Sequence, residues 1–281
     1  MTEGAAGASG ERRRLGVLGW PVAHSRSPQM FAAALSACGL AGWRYQRLPI
    51  PPELFVETVR ALPVAGFAGA NVTIPHKRAA LGLADTASPG ARAIGAANTL
   101  TFRGEQIEAS NTDAPGLLGA LPASPAGRDA LVLGAGGSAR AVVWALLGAG
   151  AGDVLVHART PERARELCAE LGGTPVAEPV PAALVVNCTP VGLADPSESP
   201  LAAAAVADYA CVVDLVYGAR ETALVAAARR AGSTVVDGID VLVSQGALAF
   251  EHWFAQPAPR QAMAVAARAG SDAPGIARES R

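Results

Sequence analysis

Lysine is nearly absent from this sequence, which makes its one occurrence a candidate for chemistry. The chain has 281 residues and 22 arginines, but its only lysine is Lys77. Either side chain can serve as a cation on a solvated surface. Only the ammonium can be tuned toward giving up a proton, because a guanidinium stays protonated in proteins. The lysine at position 77 therefore indicates acid–base chemistry.

Four short clusters of hydroxyl, amide and charged residues lie in the same half of the chain. They are residues 24–28 (HSRSP), 71–77 (NVTIPHK), 97–99 (ANT) and 111–113 (NTD). Polar groups that follow strands in an α/β sheet usually line the cleft at the carboxyl ends of those strands. Together these clusters could hold a polyhydroxylated ligand that carries a carboxylate.

A glycine-rich turn in the second half of the chain predicts a dinucleotide site. It has the pattern GxGxxA, directly after a β-rich run and directly before a helical one. The first glycine permits a tight turn, the second lets the backbone approach a pyrophosphate, and the alanine allows close helix packing. The anion would lie at the helix N-terminus. The predicted cofactor-binding turn comprises Gly134, Ala135, Gly136, Gly137, Ser138 and Ala139.

The end of the next strand predicts which dinucleotide binds. An enzyme that holds a free ribose 2′-OH has Asp or Glu there, but this strand ends in His157 and Ala158, followed by Arg159 and Thr160. Arg163 lies one turn into the next helix. Two guanidiniums and a hydroxyl without a carboxylate suit a 2′-phosphate, which favours NADP over NAD. Arg165 lies farther from the strand end and can be an ordinary solvated helix cation.

Composition and charge narrow the class of partner. The sequence is 51% hydrophobic and 17% charged, which excludes disorder of the whole chain. A net charge of −1 gives no field to hold nucleic acid or an anionic membrane, so a small-molecule partner is expected.

The four cysteines stand far apart without metal-ligand spacing, which predicts free thiols, no metal site and a cytoplasmic protein. Of these, Cys188 and Cys211 are assigned to the core.

The elements that must position these residues alternate between strand-like and helix-like runs, as in an α/β chain. In the first half, strands are predicted at 15–19, 43–50 and 69–74, helices at 30–40, 52–62 and 76–84, and a hairpin at 99–113. Residues 121–129 are polar and turn-rich and should connect two units. In the second half, strand, glycine turn and helix repeat as in a doubly wound nucleotide domain, and a last helix is predicted from about Asp240 to Phe254.

The ordered set of motifs resembles the shikimate dehydrogenase family. No single segment is decisive, but the matching segments occur in the family's order and span most of the chain. They are PVAHSRSP (21–28), NVTIPHK (71–77), IGAANTL (94–100), NTD (111–113), GAGGSAR (134–140), ART (158–160) with Arg163, NCTPVGL (187–193), DLVY (214–217) and DGIDVLVSQGALAF (237–250).

This resemblance implies a fold and an activity. The fold would consist of two α/β domains with a cleft between them, an N-terminal substrate domain with a mainly parallel sheet and a Rossmann-like NADP-binding domain. The implied boundaries are 15–112 with 241–269 for the substrate domain and 113–240 for the NADP domain. The composition of residues 1–14 and 270–281 predicts that both are disordered tails. The implied activity is reversible NADPH-dependent reduction of 3-dehydroshikimate to shikimate, on the route to chorismate and the aromatic amino acids.

The resemblance also assigns roles to individual residues. Lys77 and Asp113 would be the catalytic pair, and Asp113 could also be the N-cap of the helix that follows it, a role compatible with catalysis. The implied substrate-binding residues are Ser25 and Ser27 with Tyr217 for the carboxylate, and Asn71, Thr73, Asn98, Asp113 and Gln245 for the ring hydroxyls. The cofactor residues added by the resemblance are Thr189, Leu215 and Gly238.

The sequence departs from the family pattern at the cofactor site, and two alternatives to the implied function stay open. Ala158 stands where the family usually has Asn, which leaves NADP selectivity to Arg159, Thr160 and Arg163. A quinate/shikimate or an aminoshikimate dehydrogenase is a close alternative. A non-catalytic regulator that senses shikimate or NADP is the alternative of another class, but binding alone would tolerate Arg at position 77. The sequence leaves open whether the protein is a monomer or a homodimer.

Overall fold

A computed structural model describes residues 13–269 of the protein. Within that range the strands form two six-stranded sheets. The predicted disordered tails lie outside the described residues apart from Arg13 and Arg14, and Arg14 is the first residue of a strand.

The first sheet is mixed, with strand order β2-β1-β3-β5-β6-β4. Its strands are β1 (Arg14–Gly19), β2 (Arg44–Pro49), β3 (Phe67–Val72), β4 (Thr86–Ala87), β5 (Thr99–Arg103) and β6 (Gln106–Ser110). Only β5 runs opposite to the others, because it forms the predicted hairpin with β6 and also pairs antiparallel with β3. The carboxyl ends of β1, β3 and β6 therefore meet at one edge of the sheet, where the polar clusters follow them.

Five helices accompany this sheet in chain order. They are α1 (Ser27–Ala37), α2 (Phe55–Ala61), α3 (Lys77–Leu83), α4 (Pro89–Ile94) and α5 (Asp113–Ala120). Apolar residues at helical spacing give each of them a buried face. Phe31 of α1 packs on one side of the sheet, and Phe55 of α2 packs on the other. Both aromatic side chains are fully buried and contribute strongly to stability through the apolar surface they remove from water.

The second sheet is wholly parallel, with strand order β12-β11-β10-β7-β8-β9. Its strands are β7 (Ala130–Leu133), β8 (Val154–His157), β9 (Thr174–Val176), β10 (Leu184–Asn187), β11 (Cys211–Asp214) and β12 (Thr234–Val236). Its helices are α6 (Gly137–Gly148), α7 (Pro161–Leu171) and α8 (Ala223–Ala231). Numbered within the half, the order is 3-2-1-4-5-6, the doubly wound order of dinucleotide-binding domains, which confirms the predicted fold class.

Two further helices return to the first sheet. The helix α9 (Gly238–Phe254) follows the second sheet but buries Phe250 and Ala247 in the first, and the Trp253 indole Nε1 donates to the carbonyl of Leu100 on β5 at 3.2 Å. The helix α10 (Arg260–Ala269) was not predicted, and it packs against α1 through Met263 and Ala267. The spacing of these two residues, four apart, is the signal that could have located it.

Several predicted boundaries were wrong by a few residues. The helix α9 begins at Gly238, capped by the carboxylate of Asp237, and not at Asp240. The motif DLVY (214–217) begins on the last residue of β11, Asp214, so Leu215 and Tyr217 lie in the loop after the strand. The domain boundaries stay a prediction, since α5 contacts both α9 and α6. Within residues 13–269 no helix is both long and apolar enough to cross a membrane.

Candidate active site

Lys77 and Asp113 are in direct contact. Lys77 is the first residue of α3, one turn beyond β3, and Asp113 is the first residue of α5, just beyond β6. The ammonium Nζ of Lys77 donates to Oδ2 of Asp113 at 2.7 Å, and the two side chains are 10% and 19% exposed. A partly desolvated ion pair of this kind is a competent proton donor and acceptor.

Asp113 keeps its carboxylate for this contact because another residue caps its helix. Oδ1 of Asn111 accepts from the backbone N–H of Asp113 at 3.0 Å and of Ala114 at 3.3 Å. The prediction that Asp113 could also serve as the N-cap of α5 is therefore wrong. The second carboxylate oxygen of Asp113 accepts from Nδ2 of Asn98 at 2.9 Å, which fixes the plane of the carboxylate.

The ammonium of Lys77 also reaches the second half of the chain. Nζ donates to Oγ of Ser138, in the first turn of α6, at 2.9 Å. A Cβ added to Gly137 would lie 3.0 Å from Cβ of Lys77, so this glycine leaves room for the lysine. The predicted catalytic pair and the predicted dinucleotide turn therefore border one another.

The nine residues predicted to be catalytic or substrate-binding all line one cavity of about 130 Å³. Ser138, Leu215 and Gly238, which were assigned to the cofactor, also lie on its wall. His24 lines the same cavity, and burial lowers the pKa of its imidazole. The cavity walls come from the first sheet and its loops, from the first turn of α6, from the loop after β11 and from α9.

An amide network fixes the floor of this cavity. The two hydrogens of Asn98 Nδ2 are shared among Oδ1 of Asp113, Oγ1 of Thr112 at 2.9 Å and Oε1 of Gln245 at 3.1 Å, while Oδ1 of Asn98 accepts from the backbone N–H of Thr112 at 2.7 Å. Thr112 was missed as a site residue, although its place between Asn111 and Asp113 was a usable signal. The network connects α9 to the loop before α5.

The serine end of the cavity is rich in hydroxyls. The backbone N–H of Ser27 donates to Oγ of Ser25 at 3.3 Å, and Tyr217 lines the cavity together with both serines. Burial raises the pKa of Tyr217, so its phenol stays neutral and able to donate. The guanidinium of Arg47 donates twice to the carbonyl of Ser25, at 3.0 and 2.6 Å, and brings positive charge behind this end.

The glycine turn has the geometry that a pyrophosphate requires. Gly134 has φ +107°, and a Cβ there would lie 3.3 Å from the backbone of Cys188. No heavy atom lies within 4 Å of the Cβ position of Gly136, so its backbone faces open space. A cavity of about 420 Å³ lies against Ala135, Gly136, Gly137 and Ser138 at the N-terminus of α6. Cys188 lines this cavity and is half-buried, so only Cys211 of the two assigned cysteines belongs to the core.

The arginines after β8 differ in what they contact. Arg159, Thr160 and Arg163 are exposed, and Arg163 lines the cavity beside the glycine turn. Within residues 13–269 neither Arg159 nor Arg163 has an acidic partner, whereas Arg165 pairs with Glu162 at 2.8 Å. Arg165 is thus the solvated helix cation expected, and the other two guanidiniums are free for an anion.

A buried aspartate organises the remaining cofactor loops. The carboxylate of Asp214 is fully buried and accepts from Nδ2 of Asn187 at 2.9 Å and from Oγ1 of Thr222 at 2.6 Å. Oδ1 of Asn187 in turn accepts from the hydroxyl of Thr189 at 2.7 Å. Sequence reasoning did not assign Asp214, which holds Thr189 and the loop that carries Leu215. No group of three or more His, Cys, Asp or Glu residues in the described range could hold a metal ion.

Three stretches of the chain match described protein families. Residues 17–100 match the shikimate dehydrogenase substrate-binding domain. Residues 121–181 match the shikimate / quinate 5-dehydrogenase family, and residues 238–268 match the shikimate 5′-dehydrogenase C-terminal domain. The matches follow the order of the two sheets and of α9 along the chain.

Individual relatives agree with these matches. A shikimate dehydrogenase (NADP⁺) of Methylobacterium radiotolerans is 47% identical over 87% of this chain and 92% of its own length. The crystal structure of shikimate 5-dehydrogenase from Thermus thermophilus in complex with NADP(H) and shikimate is 42% identical, with a TM-score of 0.83 over 92% of this chain and 99% of that one. Shikimate dehydrogenase from Aquifex aeolicus is 32% identical, with a TM-score of 0.86 over 93% and 99%.

Proposed function

The chain belongs to the shikimate dehydrogenase family, and we propose that it catalyses the reversible NADPH-dependent reduction of 3-dehydroshikimate to shikimate. One observation carries the proposal. The residues predicted for catalysis and for substrate binding line a single cavity, in which the Lys77–Asp113 pair borders the dinucleotide turn at Ser138.

The residues that we propose bind the substrate form two groups, one for its carboxylate and one for its ring hydroxyls. Ser25, Ser27 and the neutral phenol of Tyr217 offer hydroxyl donors to a carboxylate at one end, supported by the charge of Arg47. Asn71, Thr73, Asn98 and Gln245 offer amide and hydroxyl groups to the ring hydroxyls at the other end. A site built to hydrogen bond these groups discriminates strongly against a ligand that lacks them.

Proton transfer falls to Lys77. Reduction of a ketone develops negative charge on its oxygen, and an ammonium close to that oxygen both stabilises the charge and supplies the proton. Asp113 orients the ammonium through the 2.7 Å contact and can exchange protons with it. In the reverse direction the same pair accepts the proton of the substrate hydroxyl.

The residues around the glycine turn fit NADP. Open space at Gly136, the N-terminus of α6 and the adjoining cavity of about 420 Å³ suit a pyrophosphate, and the unpaired guanidiniums of Arg159 and Arg163 suit a 2′-phosphate. When bound, NADPH supplies the hydride. Leu215 and Gly238 line the substrate cavity together with Ser138, where they can position the reacting ring.

The proposal includes a small-molecule substrate and no nucleic-acid or membrane partner, in line with the net charge of −1. It also includes a cytoplasmic location and a monomeric or homodimeric state. Quinate/shikimate and aminoshikimate dehydrogenases remain the alternatives within the same class. A non-catalytic regulator is disfavoured because the proton-transfer pair is intact.

The test is an assay of the purified protein with shikimate and NADP⁺ or NAD⁺, followed by the absorbance of the reduced cofactor. We expect turnover with shikimate and NADP⁺. A protein that turns over neither cofactor would not be an enzyme of this class. Faster turnover with quinate or with NAD⁺ would favour the corresponding alternative.

Cofactor selectivity gives a separate prediction. Arg159→Ala should raise the KM for NADP⁺ by roughly 10- to 100-fold and leave the KM for NAD⁺ nearly unchanged, because a charge-assisted hydrogen bond contributes about 1.5–3 kcal/mol. Arg165→Ala is the matched control, since its guanidinium already pairs with Glu162. Equal losses for the two cofactors in Arg159→Ala would contradict a contact with the 2′-phosphate.

A further inference from the structure

The residue between the two serines of the substrate cavity is an arginine in an unfavourable position. Arg26 is the N-cap of α1, where a small hydroxyl, amide or carboxylate side chain is preferred, and its side chain makes no capping bond. The residue stands at the helix end where the dipole favours negative charge, and it is buried, with only 6% of its surface exposed. Burial of a cation is costly unless an anion compensates it.

The guanidinium of Arg26 is held by neutral acceptors. Nη1 donates to the carbonyl of Ala267, in α10, at 3.1 Å, and Nη2 donates to the carbonyl of Gly218 at 2.8 Å. Gly218 directly follows Tyr217, which lines the cavity together with the serines. Among residues 13–269 no carboxylate lies within ion-pair distance of this guanidinium. The charge of Arg26 is therefore uncompensated in the part of the chain that the structure describes.

A second guanidinium lies behind the serine loop, residues 20–27. Arg47, on β2, is half-buried and donates to the carbonyl of Ser25 at 3.0 and 2.6 Å and to Oε1 of Gln29 at 3.3 Å. It too has no carboxylate within ion-pair distance in the described range. Burial raises the pKa of the Tyr217 phenol, and the positive charges of Arg26 and Arg47 act against that rise. Two uncompensated cations thus flank the serine loop.

The cavity wall does not balance these charges. Among the described residues that line the cavity, the only carboxylate is Asp113, which already pairs with Lys77 at 2.7 Å. The side chains at the serine loop are neutral hydroxyls, so they can orient a carboxylate but supply no charge to it. The two guanidiniums lie largely out of bulk water, where their charge is screened less than at the surface.

We propose that Arg26 and Arg47 make the cavity selective for a negatively charged substrate, and that they act through the serine loop without touching the ligand. The inference rests on the proposed function. The hydroxyls set the direction of the hydrogen bonds to the substrate carboxylate, while the guanidiniums supply the attraction. A neutral ester of the same shape keeps part of the polar contacts but loses that attraction. Binding of an anion also offsets the cost of burying the two cations.

The test compares shikimate with its methyl ester, which keeps the ring hydroxyls but is neutral, in the wild-type protein and in Arg47→Gln. Glutamine retains an N–H donor for the carbonyl of Ser25 but carries no charge. We expect kcat/KM for shikimate to fall roughly tenfold, mainly through KM, and kcat/KM for the ester to fall less than about threefold. The KM for NADP⁺ should not change.

The chain offers a rescue and a matched control for this variant. Arg47→Lys keeps the positive charge and one donor for the carbonyl of Ser25, so its loss with shikimate should be less than about threefold. Arg44 lies on the same strand and also donates to backbone carbonyls, those of Ala41 and Trp43, both at 2.9 Å. It is exposed and does not line the cavity, so Arg44→Gln should alter neither substrate.

Arg26→Gln should show the same preferential loss of shikimate. Because Arg26 also holds α10 through Ala267, thermal stability is measured alongside turnover. Met263→Ala weakens the packing of α10 and leaves the guanidinium in place. It should lower stability without changing the ratio of the kcat/KM values for shikimate and the ester, whereas Arg26→Gln should change that ratio.

Two results would overturn the selection by charge in a wild-type protein that is active with shikimate. One is an equal loss for shikimate and the ester in either glutamine variant, which would make that arginine merely structural. The other is an unchanged kcat/KM for shikimate in either variant. A loss in Arg47→Lys as large as that in Arg47→Gln would also overturn it. Where the ester turns over too slowly to measure, the dissociation constants of the two ligands give the same comparison. An inactive wild-type protein would refute the proposed function itself.

Discussion

Lys77→Arg should lower kcat by roughly 10²- to 10⁴-fold, the range that a positioned general acid or base contributes. The guanidinium keeps the positive charge but does not give up its proton at working pH, so it can hold the developing negative charge without completing the reaction. It is also larger, and Gly137 and Ser138 already lie against the lysine side chain. Shikimate binding should survive in part.

The measurement for Lys77→Arg is steady-state turnover together with the dissociation constant of shikimate. Because Lys77 is the only lysine, an amine-directed reagent offers a second readout. Wild-type protein should carry one modified side-chain amine, protected by shikimate with NADP⁺, and Lys77→Arg should carry none. Lys77→Arg is therefore also the negative control for the labelling experiment. Near-normal turnover in Lys77→Arg would remove the lysine from the chemistry.

Asp113→Asn should also lower kcat, by roughly 10²-fold or more, at the lower end of the range for groups that transfer protons. The amide that replaces the carboxylate has no charge to pair with the ammonium. If its nitrogen takes the place of Oδ2, it presents a second donor to Nζ of Lys77 where an acceptor now lies at 2.7 Å. If the amide flips, the same clash occurs with Nδ2 of Asn98. Either orientation leaves a donor facing a donor.

The control for Asp113→Asn is Asp129→Asn. The carboxylate of Asp129 accepts from the backbone N–H of Asp153 at 2.8 Å, a bond that an amide oxygen can replace, and it lies away from the cavity. Turnover and thermal stability are measured for both variants. Asp113→Asn should lose activity while folded, and Asp129→Asn should retain it. Full activity in Asp113→Asn would show that Lys77 needs no carboxylate partner.

The sequence was most informative where chemistry or backbone geometry restricts the residue type. Gly134 takes a positive φ that favours glycine, and Lys77 was the single lysine among 22 arginines, which do not give up their proton. The family resemblance, the doubly wound fold and the use of NADP by relatives are confirmed by the comparisons. The individual site residues stay predictions, although the structure brings the substrate and catalytic set together.

Other features could not be predicted because local patterns do not encode them. The helix α10 is held by contacts with α1, more than 200 residues earlier in the chain. Asp214 and Thr112 gain their significance from hydrogen bonds to residues that approach them only when strands and loops are assembled. The pattern of each segment predicts its own conformation, but not its neighbours.

Lys77 illustrates what the sequence determines and what only the tertiary structure determines. The sequence by itself determined that this residue can transfer a proton, since that ability belongs to the ammonium, and that it follows a strand of the first half. Only the tertiary structure decided that Nζ lies between Asp113 and Ser138. It also decided that the phenol of Tyr45, on β2, reaches past β1 to donate to the side chain of Asn71, on β3. The reason is physical: a side chain's chemistry is intrinsic, whereas its partners depend on strand register and on how remote segments cross.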